Sequence, residues 1–495
     1  MSQGFIERFG LWSDEQAAAA EKIRRWIADS GVRLIRMAWA DTHGHARAKM
    51  VSVPVFLESL TNGYVINVAT FTLDASGGRV FRSFVRGGGM ELDEMTGSPN
   101  LTVVPDPETF RVLPWAPDVA WVICDEYFTD GKPFHFSARQ VLRRQIDRLS
   151  GWNMSLKIGL EVEWYLRRIA DPDLTDGHTA TPGMRGTPIA TAPVEPGYSY
   201  HSESNMDLMQ PVLSELASAY EELDLRLRSI ENEFGPGQIE CTFSAQDALR
   251  AADNMVLFRS ATRQVCRRLG HIATFMCRPA FPGFYASGWH LHQSLTDPAT
   301  GENLCTPDDE AAYMSPTGMS WLSGLLEHAA PSSIFATPTV NGYRRFQPNS
   351  LAPDRATWSH DHRGVMVRLL GGVGDKATRY ENRIGEPAAN PYLYIASQII
   401  AGLDGVERQA EPWPADDEPY ESDRPPLPKS LGDALVALGG SKLYEDALGP
   451  IYRDYFIALK KSELSRYTQY LDENPEREDV NGVTAWEQHE YFDFF

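Results

Sequence analysis

Four short segments of this sequence alternate apolar and polar residues with a period of two, and the residues on their polar faces restrict the fold more than any other feature. In residues 158–166, Ile158, Leu160, Val162, Trp164 and Leu166 form one face, which places Glu161 and Glu163 together on the other. In residues 238–243, Gln238, Glu240 and Thr242 share a face. His290, His292 and Ser294 do so in residues 288–295, and Arg379, Glu381 and Arg383 in residues 378–384. Any one segment alone reads as an antiparallel strand with a solvated outer face. Together they do not, because lysine and threonine, the usual solvent-face choices, are nearly absent from these positions. The set is carboxylates, imidazoles and guanidiniums. Carboxylate oxygens with imidazole suit Mg²⁺ or Mn²⁺ rather than a thiolate-loving metal. Arginines among them suit phosphates and carboxylates. A sheet face that gathers both suits phosphoryl transfer, which depends on positioning and charge neutralisation.

The rest of the chain frames this sheet. Ser13-Asp14-Glu15-Gln16 reads as a capping box opening a helix to about residue 30. Residues 32–125 form a short-stranded region with turns at Asn62-Gly63 and Gly87-Gly88-Gly89. Ser137 to Gln140 reads as a second capping box, before a helix carrying Leu142, Ile146 and Leu149. Gly131-Lys132-Pro133 marks a domain junction, so residues 1–132 and 133–495 are expected to be separate domains. A proline-rich acidic loop spans about 411–428, and the tail from Leu431 is helical in pattern.

With 495 residues, 42% of them hydrophobic, the chain can bury a large core. Its net charge of −21 repels nucleic acid and anionic membranes, so neither is an expected partner. No run resembles a signal peptide and no apolar stretch approaches a membrane span. Cys124, Cys241, Cys266, Cys277 and Cys305 are scattered, with no CxxC pair, as in a reduced cytoplasmic chain with cysteines in its core.

Motifs in fixed order extend the strand pattern across nearly the whole chain. They are Asp41-Thr42-His43-Gly44, Glu161-Val162-Glu163, Glu233-Phe234-Gly235-Pro236-Gly237-Gln238-Ile239-Glu240, and Ser287-Gly288-Trp289-His290-Leu291-His292-Gln293-Ser294. Asn341-Gly342-Tyr343-Arg344-Arg345, Arg363 with Arg368, and Arg379-Tyr380-Glu381-Asn382-Arg383 follow. This series resembles the glutamine synthetase superfamily, type I-like, including its γ-glutamyl amide synthetases. The resemblance implies an α+β fold: a small N-terminal β-grasp-like domain, then a catalytic domain with a curved antiparallel sheet flanked by helices. It also implies a homo-oligomer of two stacked hexameric rings, with each site completed by the neighbouring N-terminal domain.

Carried over residue by residue, the resemblance implies a site using ATP and two or three Mg²⁺ or Mn²⁺ ions. Glu163, Glu233 and Glu240 correspond to ligands of one metal, and Glu161, His290 and Glu381 to ligands of a second. His292, Ser294, Lys376 and Arg379 correspond to nucleotide-side contacts. Arg345 corresponds to the clamp for glutamate's α-carboxylate, near Gly288. Arg363, Arg368 and Arg383 correspond to the arginines around the transferred phosphoryl group. Asp41, from the adjacent subunit, corresponds to the residue that helps bind and deprotonate the amine.

The departures from the family pattern fall in the substrate pockets. A flap motif Pro-Gly-Tyr-Glu-Ala-Pro reads Pro348-Asn349-Ser350-Leu351-Ala352-Pro353, so Leu351 stands in place of the flap glutamate. Asn-Gly-Ser-Gly-Met-His reads Tyr285-Ala286-Ser287-Gly288-Trp289-His290. Retained phosphate chemistry with an altered amine pocket implies ligation of glutamate's γ-carboxyl to a small organic amine through γ-glutamyl phosphate. An apolar or aromatic amine such as aniline is the first candidate, with Leu351, Trp289 and Tyr285 as an apolar wall. The alternatives are ammonium, as in authentic glutamine synthetase; a polyamine or alkylamine; another carboxylate; or a homologue without activity.

Overall fold

The computed structural model describes residues 3–495. Its first sheet is built from β1 (Leu34–Ala40), β2 (Ala46–Ser52), β3 (Tyr64–Asn67), β4 (Asn100–Pro105), β5 (Arg111–Leu113) and β6 (Ala116–Tyr127). The strand order is β2-β1-β6-β4-β3, with β5 on β6 and a parallel β1–β6 pair at its centre. Helix Asp14–Trp26 precedes it, and the expected capping box is present: Gln16 N–H donates to Ser13 Oγ, and Ser13 N–H donates back to Gln16. The second expected box, at helix Ala138–Ser150, is half formed. Gln140 N–H donates to Ser137 Oγ, but the Ser137 N–H is already engaged by the Phe134 carbonyl.

The second sheet holds the four patterned segments. Its strands are β7 (Ser155–Ile169), β8 (Thr191–Pro193), β9 (Leu227–Asn232), β10 (Gln238–Phe243), β11 (Gln246–Asp247), β12 (His271–Thr274), β13 (Trp289–Thr296), β14 (Trp358–His360), β15 (Val367–Leu370) and β16 (Arg379–Gly385). The order is β14-β15-β16-β13-β7-β10-β9, with β8, β11 and β12 also on β7. β7 is therefore the spine: it pairs antiparallel with β13 on one side and β10 on the other.

Alternation along β7 decides which face is wet. Ile158, Leu160, Val162, Trp164 and Leu166 are all buried and belong to one hydrophobic core that runs through both sheets. Helix Pro391–Arg408 packs in that core against helices Ala138–Ser150 and Pro316–Glu327. The opposite face of β7 is left for Glu161 and Glu163. As expected, the acidic loop before residue 431 is largely irregular and the tail beyond it helical, including helix Pro450–Glu473.

The two sheets are joined by buried charge. Arg139 donates to Asp106 (2.6 Å) and Asp125 (2.6 Å) of the first sheet region and to Asp253 (2.8 Å) of helix Ala248–Arg268. Tyr392 Oη also donates to Asp253, at 2.7 Å. No helix among the described residues is long and apolar enough to cross a membrane. The five cysteines are free and buried.

Candidate active site

Backbone register sets the site. Across the sheet, Glu240 lies opposite Glu163, His290 opposite Glu161, and His292 opposite both Gly159 and Glu381. Arg368 of β15 lies opposite Glu381. Directly opposed residues stand about 5 Å apart at Cβ, so five separate stretches of chain deliver their polar side chains to one patch. Ligand atoms of Glu161, Glu240 and His290 lie within 4.8 Å of one another, as do those of Glu161, His292 and Glu381.

This grouping combines members of both expected ligand sets. Glu161 is shared by both groups, and His292, expected on the nucleotide side, stands among the carboxylates with Nε2 at 2.9 Å from Glu161. Glu163 is adjacent, its Oε1 4.0 Å from His290 Nε2. Gln238 Nε2 donates to Glu163 at 2.8 Å and to Ser287 Oγ at 3.1 Å, which fixes that carboxylate. Glu233 sits on the tight turn before β10. Gly235 in that turn admits no side chain, because a Cβ would lie 2.1 Å from Tyr165 Oη.

The carboxylates strain against one another. Burial, reinforced by Glu161 and Glu163, pushes Glu240 up to about 10. Burial and Glu163 push Glu233 up to about 8, and burial outweighs Arg345 in pushing Glu163 up to about 7. Burial also acts on Glu161, but hydrogen bonds from His290 and His292 outweigh it and hold this carboxyl well below the usual range. Burial, aided by Arg383, pushes His290 down to about 4, so a neutral imidazole gives its Nδ1–H to ionised Glu161 at 2.6 Å. Crowded carboxylates with imidazole and no thiolate form an oxygen-rich donor set that fits Mg²⁺ or Mn²⁺, and a bound dication would relieve the crowding.

The arginines surround this patch. Arg383 and Arg368 both donate to Glu381, the latter at 3.0 Å, and Arg383 Nη2 reaches the Leu351 carbonyl at 3.2 Å. The Arg383 Nε is buried without a partner. Arg345 is buried beneath Gly288 and donates to the carbonyls of Arg383 (2.7 Å) and Gly385 (3.2 Å) while Nη2 approaches His290 Nε2 at 3.2 Å. A Cβ on Gly288 would lie 2.6 Å from Arg345 Nη2, so this approach requires glycine. Arg363 is exposed.

Beside the carboxylates opens a cavity of about 1260 Å³, lined by Glu161, His292, Ser294, Lys376 and Arg379. The four expected nucleotide-side residues thus share one cavity. Arg379 Nε donates to His292 Nδ1 at 3.1 Å, and Ser294 Oγ donates to the Thr378 carbonyl at 2.9 Å. Lys157 and Arg228 line it as well, and sequence reasoning missed both. Lys157 was accessible to it, since the period of two continues from Glu161 through Gly159 to Lys157. Arg228 stands on β9, whose sequence Leu-Arg-Ser-Ile-Glu-Asn carries no clear alternation.

Two of the expected residues are buried. Asp41 is fully buried; its carboxylate accepts from the N–H groups of His43 (2.9 Å) and His45 (3.0 Å) and from Arg47 Nε (2.7 Å). Both oxygens are engaged within the β1–β2 hairpin of its own chain. Trp289 is also fully buried, edge-on to Tyr394 at 5.1 Å, and forms no part of an amine wall. Its neighbour His290 points to the site, and the strand period therefore sends Trp289 into the core. Leu351 and Tyr285 are exposed. Tyr285 belongs to an aromatic group: Phe234 stacks on Tyr200 at 4.6 Å and lies 5.7 Å from Tyr285.

Comparison with known proteins agrees with this geometry. Residues 135–478 match the family model described as glutamine synthetase, catalytic domain. The chain is 43% identical to a γ-glutamylanilide synthase of an Acinetobacter species, over 99% of this chain and 98% of the relative. It is 31% identical to a glutamine synthetase of Halobacterium salinarum over the full length of both. Among solved structures it is similar to apo GmaS without ligand, with a TM-score of 0.75 and 28% identity, covering 95% of this chain and 98% of that one. From the matched catalytic region and the full-length similarity to these relatives, the chain belongs to the glutamine synthetase family, whose members are ATP-dependent ligases that form C–N bonds.

Proposed function

We propose that this protein joins the γ-carboxyl of glutamate to an aromatic amine of the aniline class, with ATP and two or three Mg²⁺ or Mn²⁺ ions. The γ-carboxylate attacks the γ-phosphorus of ATP, giving γ-glutamyl phosphate and ADP. The amine nitrogen then attacks the acyl carbon, phosphate leaves, and the nitrogen loses a proton. Glu161, Glu163, Glu233, Glu240, His290 and Glu381 hold the metals, with His292 able to join them. Ser294, Lys376 and Arg379 face the nucleotide, joined by Lys157 and Arg228. Arg363, Arg368 and Arg383 neutralise the transferred phosphoryl group. Arg345 takes the α-carboxylate of glutamate by exchanging its main-chain carbonyl contacts for carboxylate oxygens.

The observation that carries the aromatic reading is the group Tyr200, Phe234 and Tyr285. Phe234 follows Glu233 directly, so an aryl ring stacked there places its nitrogen beside the carboxylate patch. Leu351 adds apolar surface worth roughly 1.5–3 kcal/mol if fully covered. Ammonium is small and strongly hydrated, and its capture needs a nearby carboxylate that Leu351 does not supply. An arylamine is already neutral near neutral pH and needs that base less. The 43% identity to a γ-glutamylanilide synthase supports the same substrate class.

The test is phosphate release from ATP with glutamate and each of ammonium, isopropylamine and aniline. The native protein is expected to prefer aniline. Phe234→Ala should raise the KM for aniline, and Leu351→Glu should shift preference toward ammonium. A native preference for ammonium, or an unchanged ranking in both variants, would overturn the assignment. We place the protein in the cytoplasm as a homo-oligomer of two stacked hexameric rings, on the strength of its family.

A further inference from the structure

A second cavity, of about 490 Å³, lies between the β1–β2 turn and the C-terminal half of helix Ala248–Arg268. It shares no lining residue with the cavity beside the carboxylates. In a chain of net charge −21 its lining is basic: Arg259, Arg263, Arg267 and Arg268, with Asp493 the one acidic side chain. Three of these arginines are spaced by four residues, so they stack along one helix face, where like charges repel. Their direct hydrogen bonds are to main-chain oxygens, and the nearby carboxylates, Asp41 for Arg259 and Asp493 for Arg263, are fewer than the arginines. Arg259 is buried and donates to the carbonyls of Pro387 (3.0 Å), Ala389 (2.9 Å) and Gly44 (2.9 Å). Arg263 donates to the carbonyls of Asp493 and Phe494. Carbonyls supply partial charge only, and buried guanidiniums that outnumber their carboxylates are costly. Burial accordingly pushes both arginines down to about 10.

A further observation concerns His45, which also lines the cavity. Its ring is half-buried and stacked on Phe494 at 3.9 Å, and its Nε2 is buried with no hydrogen-bond partner. We propose that this cavity binds a small anionic metabolite, held through phosphate or carboxylate oxygens by the Arg259–Arg263–Arg267 face and by His45. Its volume lies in the range of metabolite sites and far exceeds the roughly 30 Å³ share of one water. Planar guanidiniums in a row are the recognition element for such oxygens, and a neutral imidazole in its Nε2–H tautomer adds a donor. The site reaches the catalytic strand through the main chain. Arg259 grips residues 387–389, directly after the strand carrying Glu381 and Arg383, and also the turn at Gly44. An anion there would fasten the first sheet to the catalytic one.

The test is calorimetric titration of the full-length protein with succinate and with glycerol 3-phosphate, without metal or nucleotide. One of the two is expected to bind; the tighter one names the oxyanion. Arg267 is exposed, so Arg267→Glu should keep the native melting temperature yet bind about tenfold more weakly or not at all. Arg268→Glu, also exposed, serves as a second variant. Arg379→Gln, which alters the nucleotide cavity, should leave the titration unchanged. Absence of binding by both probes, unchanged affinity in the charge-reversed variants, or loss of binding in Arg379→Gln overturns the proposal.

Discussion

Asp41 shows how far a residue's surroundings can depart from what its motif implies. The Asp-Thr-His-Gly motif was legible, but not whether the carboxylate faces out or folds back on its own turn. The structure folds it back: the N–H groups of His43 and His45 both donate to Oδ1, and Arg47 Nε donates to Oδ2. Asp41→Ala should therefore cost about 2–3 kcal/mol of stability, as hydrogen bonds to a buried charge do, while kcat measured well below the melting temperature stays near native. A collapse of kcat with unchanged thermal stability would restore a chemical role to Asp41. The metal ligands titrate in a predictable sense. Glu163, Glu233 and Glu240 are raised to about 7, 8 and 10, so near neutral pH they hold protons that a dication must displace. Affinity for Mg²⁺ or Mn²⁺ should rise with pH through this window, and the number of protons released per ion should fall. Calorimetry in buffers of different ionisation enthalpy reads that number, and a pH-independent affinity would contradict the assignment. Glu163→Ala and Glu381→Ala should each lower turnover by about a hundredfold or more.

Strands are where the sequence was most readable, because a period of two says which side chains share a face without any knowledge of neighbours. All four patterned segments are strands of one sheet, and their polar residues do converge. Two things escaped. Trp289 was assigned to the amine wall although the same period that directs His290 outward directs it inward. Residues on β9 escaped because half-buried residues on both of its faces erase the alternation. Helix starts were legible to the extent that their N–H groups were free, and Ser137 lost half its capping box to the Phe134 carbonyl. Arg139 is the most heavily paired of the side chains that link the sheets. Arg139 has three buried carboxylate partners, of which Arg143 also reaches Asp106 and Asp125 and Tyr392 reaches Asp253, so Arg139→Leu leaves them only partly compensated and should cost about 3 kcal/mol. Denaturant unfolding checks this. A loss below about 1 kcal/mol would mean that these carboxylates find other partners.

At the scale of the whole molecule, the order of motifs made the family legible, but the aromatic group was not. Tyr200, Phe234 and Tyr285 come from three distant places, and no periodicity connects them. The ring assembly likewise leaves no local trace in the sequence. Native mass measurement should find twelve 55.3 kDa chains together, and an active monomer would refute the stacked rings. One feature separates what can vary in this protein from what cannot. The metal-facing carboxylates are indexed to one another by main-chain hydrogen bonds along β7, so deleting a single residue there would turn each later side chain to the wrong face. The groups that would meet the amine stand on loops and turns outside that index, with Leu351 and Tyr285 in irregular chain. Mutation can therefore explore new nucleophiles while the phosphate chemistry stays constant. A lineage of such proteins should diversify by exchanging loops, and an engineer seeking another amide product should graft the segments around 198–201, 234–236, 284–286 and 348–353 and leave the strands alone.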